Sequence, residues 1–217
     1  ADYEFMGLKC SIGEVANRIQ ASELQDKGVL ANCHVNVLQT QDHPQFKTYG
    51  EELKWLTTDS NRMTWVAKTI QDIATSGNTL ILVDRISAGE ILEKKIKDAV
   101  FVSGSTKNTD RKEQYDEIST ATNKVIIATY GVAAVGINIP RIFNLVLIEP
   151  GKSFVRVIQS IGRGIRKAED KDSVQIWDIT SSCKFAKRHL GARKKFYKEA
   201  NYPYNIEKIN YENPYTG

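Results

Sequence analysis

From about residue 79 onward, short apolar runs alternate with stretches of helical periodicity. Thr79–Asp84 (TLILVD) is a continuous apolar run of strand length, the pattern of a strand covered on both faces. Ser87–Lys97 follows with Ile91, Leu92 and Ile96 at helical spacing, and Ala99–Ser103 (AVFVS) reads as the next strand. The polar stretch Thr109–Ala121 predicts a surface helix, and Lys124–Thr129 (KVIIAT) and Leu145–Glu149 (LVLIE) predict two more buried strands. A helix is expected over Ser153–Ile161, a strand over Val174–Ile179 (VQIWDI) and a long basic helix over Ser182–Ala200. Strands and helices alternating at this spacing imply βαβ units, hence an α/β fold with a parallel sheet sandwiched by helices. In such sheets ligands bind outside the carboxyl ends of the strands. The segments after the strands, Arg85–Gly89, Gly104–Lys107, Tyr130–Ile139 and the loop around Gly151, are therefore the informative ones.

The first 78 residues have another character. Ala21–Leu30 reads as a short capped helix, and Ala31–Thr40 (ANCHVNVLQT) alternates like a strand with one buried face. Glu51–Leu53 and Met63–Ile73 read as helical. Residues 1–30 are expected to be a linker or the tail of a preceding unit, and residues 31–217 one domain.

Composition narrows the class. Hydrophobic residues make up 41% of the chain and charged residues 26%, enough to bury a core. No run of about 18 apolar residues exists to span a membrane, and the acidic start ADYEFMGLKC lacks a secretory h-region. Cys10, Cys33 and Cys183 are far apart and form no CxxC pair, so they read as reduced thiols in a cytoplasmic compartment. The formal charge of +4 conceals an asymmetry. Lys152–Lys198 holds thirteen Lys/Arg against four Asp/Glu, while the remainder is net acidic. A basic third on an acidic chain points to a polyanion such as nucleic acid or nucleotide phosphate, or simply to a solvated basic helix.

Three segments carry candidate chemistry. Tyr130–Pro140 (YGVAAVGINIP) follows a strand and sets Gly131 and Gly136 five apart. Such a turn either brings backbone N–H groups close to a phosphate or only permits tight packing. Thr129, at the strand's end, offers a hydroxyl donor to a phosphate oxygen. Ser103–Lys107 (SGSTK) superficially resembles a P-loop, but GxxxxGK[ST] occurs nowhere in the chain. Asp116–Ser119 (DEIS) lacks the apolar strand that a Walker B acid pair needs, so nothing here holds Mg²⁺ and nucleotide phosphates unaided. In Gln159–Arg166 (QSIGRGIR), Arg163 and Arg166 lie three apart beside Gly162 and Gly164. Arginines supplied across an interface stabilise a transferring phosphoryl group, and the planar guanidinium binds phosphate in a bidentate way.

Taken in order, TLILVDR, FVSGST, VIIATYGVAAVGINIP and VIQSIGRGIR resemble motifs IV, IVa, V and VI of a superfamily 2 helicase, in its second RecA-like motor domain. The segment GVLANCHVNV is similar to the entry from the first motor domain, and SSCKFAKRHLGARKKFYKEANYPY to the end of a phage recombination and repair helicase. The resemblance implies that Arg163 and Arg166 are fingers toward the γ-phosphate of ATP, with Gln159 beside them in motif VI. It implies that Gly136 and Asn138 lie near the nucleotide ribose and the attacking water. By the same resemblance Arg85, Ser103, Gly104, Thr106, Thr129 and Tyr130 face the bound strand. ATP and Mg²⁺ would be held mainly by an N-terminal motor domain outside this chain, since motifs I, Ia, II and III are missing. The implied substrate is branched DNA, or RNA–DNA hybrids, in recombination and repair. Gln159-Ser160 stands where DEAD-box proteins carry His-Arg, and Asn138 where they carry Asp, so an ordinary DEAD-box RNA helicase is not expected. A non-catalytic nucleic-acid-binding module is the alternative, and a regulatory domain lending arginines to another ATPase is a third reading. The basic helix, with Phe185, Phe196 and Tyr197 interleaved, either contacts a strand or packs its aromatics in the core.

Overall fold

Residues 33–102, 123–134, 142–151, 154–165 and 174–212 are described by the computed structural model. The predicted helices at 21–30 and 109–121 lie outside them, as does Cys10. The elements in chain order are β1 (Cys33–Thr40), α1 (Tyr49–Thr58), α2 (Ser60–Ala74), β2 (Thr79–Val83), α3 (Ile86–Lys95) and β3 (Val100–Val102). Then come β4 (Val125–Thr129), α4 (Tyr130–Ala134), β5 (Asn144–Ile148), α5 (Phe154–Ile165), β6 (Val174–Ser181), α6 (Lys184–Glu199) and β7 (Tyr204–Ile209).

All seven strands join one sheet in the order β3-β4-β2-β5-β6-β1-β7, and every pairing is parallel. The buried runs behave as expected: β2 and β5 have no exposed residue, because helices cover both faces. Alternate side chains feed two cores. Leu80 and Leu82 of β2 share one with Val35, Ile126, Leu145 and Ile176, and it is closed by α4, α5 and α6. Ile81 and Val83 point the other way and meet Val146, Ile148 and Ile179 beneath Met63, Val66 and Ile70 of α2 and Leu92 of α3.

The first two helices are set by a shared cap. Thr48 accepts a hydrogen bond from Glu51 N at the start of α1. Asp59 ends α1 and caps α2, its carboxylate accepting from Arg62 N at 3.0 Å. Each helix extends well beyond the apolar residues that predicted it. Past α2 the chain turns at Gly77, whose φ of +151° and closeness to the Phe143 ring (2.9 Å from a Cβ placed there) leave no room for a side chain. At this end of the sheet Asn144 donates to Ser76 Oγ (2.9 Å) and accepts from Trp177 Nε1 (3.2 Å).

Two details depart from the sequence expectation. α5 runs to Ile165, through both glycines of QSIGRGIR rather than ending at Ile161. β7 pairs in parallel with β1 at the sheet edge, and its middle four residues are exposed.

Candidate functional site

Because every strand runs the same way, the carboxyl ends of β1, β2, β4, β5 and β6 share one edge of the sheet. The residues there are largely polar and, where buried, tightly partnered. At the end of β4, Thr129 accepts a hydrogen bond from Val132 N (3.2 Å) and so starts α4. Tyr130 is buried and its hydroxyl donates to Ile148 O at 3.1 Å. Burial drives that hydroxyl's pKa well above the ordinary tyrosine value. The ring therefore braces β4 against β5, and only the Tyr130 backbone is left to face a ligand.

After β5 the chain enters Glu149 with φ +44°, then Pro150 and Gly151, before α5 begins. Two buried arginines hold this loop. Arg62 of α2 donates to Glu149 Oε1 (2.5 Å), Leu56 O (2.6 Å), Thr40 Oγ1 (3.0 Å) and Thr180 O (3.2 Å). Arg193 of α6 grips Asp178 of β6 with both Nε (2.7 Å) and Nη2 (3.0 Å), and its Nη1 donates to Pro150 O at 2.7 Å. Tyr197 adds a hydroxyl donor to Asp178 (2.7 Å). Arg62 makes four hydrogen bonds to fixed acceptors and Arg193 three, so each guanidinium both anchors and orients what it holds. The loop that launches α5 is thus tied to β1, α2, β6 and α6.

Burial pushes the Glu149 carboxyl from 4.5 up to about 7, against the opposing pull of Arg62 and Arg193. A folded pKa above the unfolded one means the fold binds a proton that the unfolded chain releases. Stability therefore falls as pH rises from about 4.5 to 7 and levels off above. Glu149→Gln is expected to flatten that slope in urea midpoints measured between pH 5 and 8. An unchanged slope would assign it to another group.

α5 packs through Phe154, Val157 and Ile158 against the same core as Tyr130, Val132 and Ala133 of α4. Arg156 is exposed and Gln159 half-buried, so they mark the outward side of the helix. Position 163 follows Gln159 by four residues and Arg156 by seven, which aligns all three along one helical face. Arg166, Gly136, Asn138, Ser103, Gly104 and Thr106 lie outside the described residues.

Arg85 is half-buried at the N-terminus of α3, and its Nη2 donates to Gly50 O at 3.3 Å. Two of the α6 aromatics lean on the core: Tyr197 is buried in it, the half-buried Phe196 packs against it, and both meet the Phe154 ring. Phe185 sits instead at the start of the helix beside Tyr49. Arg62, Arg193 and the capping acid Glu52 were not among the residues the sequence singled out. No motif marks them, and charge alone places them on the surface. Cys33 and Cys183 are buried, and burial raises the Cys183 thiol to about 11. Among the described residues no three His, Cys, Asp or Glu side chains converge as metal ligands, and no helix is long and apolar enough to cross a membrane.

Comparison with known proteins places this edge. Residues 61–168 match the family described as the helicase conserved C-terminal domain. The chain is similar to the ATP-dependent DNA helicase uvsW of Enterobacteria phage T4, at 28% identity over 96% of this chain and 45% of the relative. A putative helicase of a Sulfolobus islandicus filamentous virus is 32% identical over 46% of this chain and 18% of its own length. The chain thus spans less than half the length of these curated relatives. Among solved structures, T4 UvsW superposes with a TM-score of 0.72 at 23% identity, over 82% of this chain and 42% of that one. The C-terminal domain of the DEAD-box protein Dbp5 superposes at 0.53 with 18% identity, over 84% of this chain and 92% of that domain. These likenesses show a RecA-like helicase C-terminal fold.

Proposed function

This chain carries a helicase conserved C-terminal domain over residues 61–168, and from that premise we propose that it is the second motor domain of an ATP-dependent helicase or translocase. The observation that carries the reading is α5, the QSIGRGIR helix. It springs from a loop fixed by two buried arginines and carries the exposed Arg156 and half-buried Gln159 on its outward side.

In the intact protein ATP would lie between this domain and a second RecA-like domain bearing the P-loop. Arg163 and Arg166 would reach the γ-phosphate when the cleft closes, with Gln159 beside them, and Gly136 and Asn138 would face the ribose and the attacking water. The guanidinium groups of the motif VI segment suit phosphate, which they can bind in a bidentate way. Mg²⁺, bound on the facing domain, would supply charge neutralisation between the β- and γ-phosphates. This chain's residues would contribute only at closure, which couples hydrolysis to movement. Arg85 and Thr129, with Ser103, Gly104, Thr106 and the Tyr130 backbone, would meet the nucleic-acid strand. Likeness to UvsW favours DNA with branched or displaced strands, or RNA–DNA hybrids, in recombination and repair.

ATP turnover tests the reading. The purified 217-residue chain is expected to hydrolyse no ATP, while the same chain joined to a P-loop domain in the full-length protein hydrolyses it with stimulation by nucleic acid. Turnover by the chain alone would overturn the reading, and a full-length product with no ATPase at all would leave a non-catalytic binding module.

A further inference from the structure

One feature at the carboxyl edge of the sheet lies outside the helicase-like motifs. The N-terminal turn of α6 lies beside the start of α1, and Glu52 joins them. Its two carboxylate oxygens accept from Phe185 N (2.9 Å) and Ala186 N (2.8 Å). Glu52 is fully buried, so the free amides of α6 are already satisfied and an anion cannot be recruited by the helix end itself. The side chains around that turn are arranged differently. Lys184 Nζ lies 5.4 Å and Arg188 Cζ 5.5 Å from the centre of the Phe185 ring, and both cations are exposed. Tyr49 stands 6.3 Å from Phe185 and meets His189 edge-on at 4.8 Å. From Tyr49 the surface passes directly to Arg85, which donates to Gly50 O, and to Gly151, where a Cβ would sit 3.3 Å from the Tyr49 hydroxyl.

We propose that Lys184 and Arg188, held on the Phe185 ring, form a phosphate-backbone contact for a single nucleic-acid strand that continues from Arg85 across Tyr49 onto α6. Cation–π contact restricts two otherwise floppy side chains, so less rotamer entropy is lost when they engage phosphates. Three cations, Arg85, Lys184 and Arg188, flank Tyr49, against the exposed acids Glu51 and Asp84. Phosphate contacts of this kind position a strand and carry no sequence preference. The proposal rests on the reading of the chain as a nucleic-acid motor.

Fluorescence anisotropy of the full-length protein with labelled single-stranded DNA and single-stranded RNA of mixed sequence separates the outcomes. Lys184→Ala/Arg188→Ala should weaken binding about tenfold at low salt and equally for different sequences. It should flatten the log–log salt dependence by about 1.4, the slope of two lost phosphate contacts on a single strand. Lys195→Ala/Lys198→Ala removes two exposed charges from the far half of the same helix and should leave both quantities unchanged. Equal losses in the two double variants would reduce the effect to net charge and overturn the contact. Wild-type-like binding by Lys184→Ala/Arg188→Ala would also overturn it. If the unmodified protein binds neither probe, it is the motor reading that fails. A loss confined to DNA or to RNA identifies which strand takes the contact.

Discussion

Arg193→Ala is expected to remove about 3–5 kcal/mol of folding stability, the usual cost of stripping one partner from a buried ion pair. Arg193 is 1% exposed and its partner Asp178 is fully buried in mid-strand. The substitution would leave the Asp178 carboxylate with the Tyr197 hydroxyl as its remaining side-chain donor among the described residues, and Pro150 O without the donor it has now. Burial and Asp178 together push the Tyr197 hydroxyl well above its ordinary pKa, so it stays a neutral donor and supplies no positive charge in place of the guanidinium. A domain typically holds only about 5–15 kcal/mol in total, so the variant should unfold at much lower urea or fail to fold. Arg193→Lys should rescue little, because a single ammonium cannot span both carboxylate oxygens and Pro150 O. Urea unfolding followed by far-UV circular dichroism measures the effect, with the neighbouring half-buried Lys194→Ala as a control that should change stability by under about 0.5 kcal/mol. A loss below about 1 kcal/mol for Arg193→Ala would mean that the Asp178 site is not sealed from water.

The loop that Arg193 holds was legible in the sequence, but the residues holding it were not. TLILV, VIIAT and NLVLI announce themselves because strands covered on both faces must be apolar at every position. YNIEKI does not, because an exposed edge strand needs no apolar face and so leaves no apolar run to read. α5 runs past its predicted end because intrinsic helix propensity penalises Gly162 and Gly164, whereas a helix whose first turns pack on the core can continue through them. Arg193 sits in KFAKRHLGARKKFYKE, where one buried arginine among seven basic residues carries no local mark. Arg62 is harder still, since its partner Glu149 is 87 residues away. Phe185, Phe196 and Tyr197 looked equivalent in the basic helix. Helical register buries Tyr197, leans the half-buried Phe196 on the core and sets the half-buried Phe185 beside Tyr49.

Arg163→Ala should have the largest effect on function. An arginine that neutralises charge on a transferring phosphoryl group contributes about 10³–10⁵ in rate, or about 4–7 kcal/mol of barrier. Because that guanidinium acts mainly in the transition state, kcat should fall far more than the affinity for ATP. The strand contacts proposed above involve other residues, Arg85, Thr129 and the first turn of α6, so nucleic-acid affinity should be preserved. Arg163→Lys should recover little, as the ammonium lacks the planar fork. Folding stability should be unchanged, as read from the urea midpoint of the same variant. The direct measurement is nucleic-acid-stimulated ATP turnover by the full-length protein, unmodified and Arg163→Ala, with strand binding recorded on the same preparations. The account predicts a turnover loss of about a thousandfold or more with binding unchanged. Turnover retained, or lost only in step with strand binding, would contradict it.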